Sequence, residues 1–96
     1  MKNTNTDTLI LIDGQFNTEE AREILLNVFN AKIQFHELRN FSVMERFGKP
    51  DLVAQQRVPA LRKSLQEALA IVAHAGKHKK RLKVYADVRI NLVEND

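Results

Sequence analysis

The sequence predicts an α+β domain of order β-α-α-β, in which an antiparallel helical hairpin packs on a small antiparallel sheet. Three observations carry that expectation. An aliphatic run closed by a turn pair lies near the N-terminus, two long stretches space their apolar residues three and four apart, and the last stretch alternates apolar with polar residues. A chain of 96 residues, 44% hydrophobic and 28% charged, has room for one such domain and the composition of a folded one. Residues 1–8 are polar and read as a flexible lead-in, so the domain is expected over 9–96.

The first strand is expected at Leu9-Ile10-Leu11-Ile12, buried on both faces and ended by Asp13-Gly14. Asn17 then precedes Thr18-Glu19-Glu20, which places a capping side chain three residues before a glutamate and acids at the positive helix end. A helix follows from Thr18 to about Arg39. Ala21, Ile24, Val28, Ala31, Phe35 and Leu38 form a regular heptad line, taken as the seam toward the second helix. Leu25, Leu26, Phe29 and Ile33 widen the apolar arc beyond what one neighbour needs.

Residues 40–51 read as a connection with one helical turn, because Ser42-Val43-Met44-Glu45 repeats the capping pattern and Gly48 and Pro50 follow. Its apolar residues Phe41, Val43, Met44 and Phe47 are expected to close the open end of the core. Asp51 caps a second helix to about Ala75, with its own seam at Ala54, Val58, Leu61, Leu65, Ala68, Val72 and Ala75. Pro59 cannot donate to the Gln55 carbonyl and predicts a kink or a restart, and Gly76 is the expected terminator. Leu82 to Leu92 alternates strictly and makes a long strand with one buried face. Against a four-residue partner it would have edge to spare.

Leu11-Ile12-Asp13-Gly14-Gln15-Phe16, Glu20-Ala21-Arg22-Glu23-Ile24-Leu25, Lys32-Ile33-Gln34-Phe35-His36 and Glu45-Arg46-Phe47-Gly48 together resemble a family of small, uncharacterised bacterial proteins, over most of residues 9–93. The resemblance implies one compact bacterial domain and brings neither an activity nor a functional residue with it.

Charge is unevenly placed. Residues 1–50 hold six Lys/Arg against seven Asp/Glu, and residues 51–96 hold nine against five. Lys77, Lys79, Lys80, Arg81 and Lys83 supply most of the excess, in a window without an acid. With Tyr85 and Arg89 on the following strand, they are the candidate site for nucleic-acid phosphates or an acidic partner.

Catalytic signals are absent from the pattern. There is no cysteine, nucleophile elbow, phosphate loop or dinucleotide glycine set. His74 and His78 have the i, i+4 spacing of metal ligands, but Gly76 lies between them and no third ligand is signalled. His36 reads as a partly buried, hydrogen-bonded histidine. No enzyme, metal or cofactor is therefore expected. The N-terminal residues do not form a signal peptide and no apolar run is long enough for a membrane span, so the expected setting is the cytoplasm, away from membranes. The leading expectation is a protein-interaction domain that self-associates as a homodimer, through Leu26 and Ile33 on the helix flank or through the edge of the last strand. Nucleic-acid backbone binding through loop 77–83 is the alternative.

Overall fold

Thr6 to Phe16 is strand β1, paired antiparallel with strand β2, Leu82–Asn91, and the helices α1, Thr18–Phe47, and α2, Leu52–Lys77, form the connection between them. The computed structural model describes residues 6–95. The order is the expected β-α-α-β and the class α+β. Several boundaries differ from expectation, each for a local reason.

β1 is eleven residues long and not four. Asp13-Gly14 does not turn the chain, because Asp13 pairs with Tyr85 and Gly14 with Val84 inside the ladder. Thr6, Asp7 and Thr8 belong to the strand and not to a flexible lead-in; residues 1–5 lie outside the described residues. The ladder shifts register between Ile10 and Ile12, where Leu11 is an extra residue on β1. Leu9 therefore pairs with Val88 on the apolar face, while Ile10 is sent to the polar face opposite Asp87. With strands of equal reach, the surplus edge expected from a short β1 does not exist, although each strand of a two-stranded ribbon still has one unpaired side.

α1 begins as expected. Asn17 Oδ1 accepts the Glu20 amide at 2.8 Å, and Glu20 Oε1 accepts the Asn17 amide at 3.0 Å. It then runs through Asn40 without a break. The pattern at Ser42–Glu45 is interior to the helix, and Phe41, Val43, Met44 and Phe47 are helical residues in place of a connection. Gly48 ends α1 at φ 67°, and its amide donates to the Met44 carbonyl at 2.9 Å. Only Gly48 to Asp51 separate the helices. Asp51 caps α2 by accepting the Ala54 amide at 3.2 Å, while its own amide donates to Asn40 Oδ1 at 2.7 Å.

α2 continues through Pro59 and past Gly76 to Lys77. Gly76 is not the terminator. The left-handed residue is Lys79, at φ 54°, and the Lys80 amide returns to the Ala75 carbonyl at 2.9 Å. A Cβ at Gly76 would stand 3.6 Å from Thr18 Cγ2, an ordinary contact that puts the end of α2 beside the start of α1.

The seam of α2 is the predicted one: Ala54, Val72 and Ala75 are buried, and Val58, Leu61, Leu65 and Ala68 are half-buried. On α1 the seam is the other heptad line. Ile33 is 3% exposed and His36 is buried, flanked along the helix by half-buried Leu26, Phe29, Asn40 and Val43. Leu26 and Ile33 thus face α2 and are not a free flank. Leu61 and Leu65 lie on the hairpin seam as expected, but Val28 and Phe35, their expected partners, are exposed. Glu37 and Arg62 tie the two helices at 2.6 Å across an exposed edge, where such pairs contribute about 0–1 kcal/mol.

The molecule is one layer thick. It measures 50 × 42 × 15 Å, and its radius of gyration of 17.2 Å compares with about 12.5 Å for a compact chain of this length. The buried apolar residues among those described are Ala21, Ile33, Ala54, Val72 and Ala75, three of them alanines. A stable domain ordinarily needs a second layer to cover its first.

Candidate self-association surface

The ribbon and the hairpin leave a common corner. β1 ends at Phe16, α1 starts at Thr18, and α2 returns to the same corner before β2 begins at Leu82. The helix that meets both strands is α1. Near the corner the apolar ribbon face is partly covered, at Ile12, Gly14 and Phe16 on β1 and at Leu82, Val84 and Ala86 on β2.

Away from the corner, cover is lost steadily along both arms. On α1 the line that starts at Ala21 (0% exposed) passes half-buried Ile24, then reaches 40% at Val28, 53% at Phe35 and 61% at Leu38. Ala21, Val28 and Phe35 are seven residues apart and so keep one azimuth on the helix. On β2 the same face goes from half-buried Ala86 to 37% at Val88 and 47% at Ile90, and β1 exposes Leu9 beside Val88. The paired gradients describe a wedge, closed at the corner and opening outward, with apolar side chains on both inner walls. The line expected to be the intramolecular seam of α1 is thus the uncovered one.

A second apolar area lies at the hairpin tip. Phe41, Met44, Phe47, Leu52 and Val53 are exposed there and do not close the core, and a shallow groove of about 650 Å³ is lined by Val43, Phe47, Lys49, Pro50 and Leu52. The molecule's area reflects all these surfaces: 7891 Å², against about 5,600 Å² for a compact monomer of 11.0 kDa.

The predicted basic residues Lys77, Lys79, Lys80, Arg81 and Lys83 are all exposed, in and around the α2–β2 loop. Among the described residues none of them pairs with a carboxylate; Arg81 donates to the Gln15 carbonyl at 3.4 Å, a long bond. Lys83 Nζ lies 5.5 Å from the Tyr85 ring centre on the outer ribbon face, and Arg89 is on that face opposite Thr8. Asp13 and Asp87 share the face, which leaves the ribbon without a strong charge of either sign.

The histidines differ in setting. His74 and His78 are exposed with ring centres 4.4 Å apart. His36 is 5% exposed in the seam, edge-on to Phe35, and neither ring nitrogen has a hydrogen-bond partner, contrary to the expected bonded histidine. Burial holds its pKa below the ordinary 6.5, helped by the charges of Lys32, Arg57 and Arg39 and opposed by Asp51. The notch nearby, lined in part by Glu37 and Asn40, has those polar groups already engaged by Arg62 and Asp51.

No helix among the described residues is long and apolar enough to cross a membrane. Comparison with protein-family models, curated proteins and solved structures finds no match to the chain.

Proposed function

We propose that this chain is a non-enzymatic interaction module whose working form is a homodimer, the wedge between α1 and the ribbon being the surface that associates. The observation that carries this reading is the pair of exposure gradients on the two inner walls. Contiguous apolar surface of this extent is seldom left in water by a monomer and marks an interface. A closed twofold dimer meets that need with one self-complementary surface. Light scattering on a dilution series tests it. A mass of twice 11.0 kDa is expected at the upper concentrations, and a mass of 11.0 kDa at every concentration from the millimolar range down overturns the reading.

A second reading rests on the five exposed cations at 77–83, which have no carboxylate partner among the described residues. They would neutralise nucleic-acid phosphates, with little base readout. Replacing Lys79, Lys80 and Arg81 with Gln should then abolish binding of a mixed-sequence duplex or single strand. Wild-type affinity should fall with salt by a logarithmic slope of about −0.7 to −0.9 per phosphate contacted. No wild-type binding at low salt removes this reading.

A further inference from the structure

The self-association reading leaves open which wall of the wedge meets which. We propose that the dimer is reciprocal: the apolar ribbon face of one chain lies on the exposed α1 line of a second copy, and the second copy returns the same contact. The inference rests on the dimer proposed above and adds its architecture.

The two walls are comparable in length. Val28 to Leu38 spans about 15 Å of helix, and the uncovered end of the ribbon from Val88 to Asn91 spans about 10 Å of extended chain. They also match in charge. Asp7, opposite Ile90, is the one charged residue on the apolar ribbon face among the described residues, whereas the charge beside Phe35 is Lys32, with Nζ 4.9 Å from the ring centre. Crossing the walls brings that carboxylate toward that ammonium. Helix on helix would leave the ribbon face wet, and ribbon on ribbon would leave the α1 line wet. Only the crossed arrangement covers both walls, and a contact that pairs surface A with B and B with A closes under a twofold axis.

The area agrees with this occupant. Each chain exposes on the order of 2,000 Å² more than a compact monomer would. Standard interfaces take about 800 Å² from each partner, and obligate dimers take more. A second copy inserted in the wedge also supplies the missing layer.

Complementation between two variants tests the architecture. One chain carries Val88→Lys with Ile90→Lys, the other Phe35→Glu with Leu38→Glu; all four positions are exposed in the single chain, so both should keep the wild-type helical circular dichroism. Each variant alone should dimerise at least about 100-fold more weakly than wild type, since each buries unpaired charge in both of its contacts. Mixed in equal amounts, they should recover the dimer mass, because one contact is then wild type and the other sets Lys against Glu. A ribbon variant that dimerises normally by itself, or a mixture that stays at the single-chain mass, overturns the crossed arrangement while leaving a wild-type dimer in place. A wild type that is monomeric throughout overturns the underlying reading and this one with it. The chain lacks cysteine, so Val88→Cys and Phe35→Cys chains give an independent readout should a charged variant fail to fold. Thiol cross-linking between the two kinds of chain is expected, and linking only within each kind overturns the proposal.

Discussion

Ile33→Ala decides which line of α1 is the seam. The side chain is 3% exposed, and the substitution removes three carbons from contact with α2. At about 0.8 kcal/mol per buried methylene the transfer loss is about 2.4 kcal/mol. Unfilled space adds to it, and the better helix propensity of alanine returns a few tenths. A net cost of about 2–3 kcal/mol per chain is expected. Phe35→Ala removes a larger side chain from a position more than half exposed, so within a single chain its cost should stay below about 1 kcal/mol. Any further cost would belong to the proposed dimer and should shrink on dilution. Urea titration followed by helical circular dichroism suits a chain without tryptophan. With a slope of about 1–2 kcal/mol/M, the Ile33→Ala midpoint should fall by about 1–3 M at any chain concentration. A midpoint unchanged for Ile33→Ala, together with a concentration-independent loss for Phe35→Ala, would refute the assignment and return the seam to the Val28–Phe35 line.

Three further outcomes are expected. Because the folded chain holds His36 below its ordinary pKa, the unfolded chain binds the additional proton; stability is complete above pH 6.5 and falls as pH drops through and below that value. His36→Leu should flatten this acid limb and raise the midpoint, and an acid limb unchanged in that variant assigns the loss to other groups. Lys79 pays for a left-handed backbone, so Lys79→Gly should stabilise by about 0.5–1 kcal/mol in the same titration; a loss would mean that its side chain is used in the fold. Asn17→Ala removes the Oδ1 that accepts the Glu20 amide, leaves the residue-17 amide free to donate to Glu20, and should cost about 1 kcal/mol, seen as a lower melting temperature.

The element order could be read from the sequence because each element carries its own periodicity, and α2 shows how far that goes. Its heptad-spaced apolar residues form one continuous line, with Leu52, Val53 and Ile71 as isolated exceptions, so the line from Ala54 to Ala75 has one interpretation and is the line that is covered. α1 carries apolar residues on two lines with the same three-and-four spacing. Periodicity states that both lines exist and is silent on which one meets a neighbour in the same chain. Nothing in the spacing shows that Leu26 and Ile33 lie on the covered line. Local signals misled where tertiary pairing overrode them. Asp13-Gly14 has turn chemistry, yet its backbone groups are held by Tyr85 and Val84. Ser42–Glu45 has capping chemistry inside a helix whose neighbours carry it onward to Gly48. The extra residue at Leu11 leaves no mark in a run of four aliphatics. The wedge is hidden as well, since the fall in cover away from the corner depends on how α1 and the ribbon are joined in space and not on either element's own pattern.

The ladder joins the first described strand to the last, Phe16 to Leu82 and Thr6 to Asn91, and this constrains how the chain can be made. As a nascent chain leaves the ribosome, β1 emerges before β2, with both helices between them. The hairpin can form from neighbouring sequence once Lys77 is out, but β1 has no partner until Asn91 follows. Through that interval Leu9-Ile10-Leu11-Ile12 is an unpaired, uncharged aliphatic strand of the kind that sticks to other nascent chains. Synthesis speed and chaperone occupancy at β1 therefore bear on yield, and a premature stop shortly before β2 should release an aggregating product in place of a slightly weakened one.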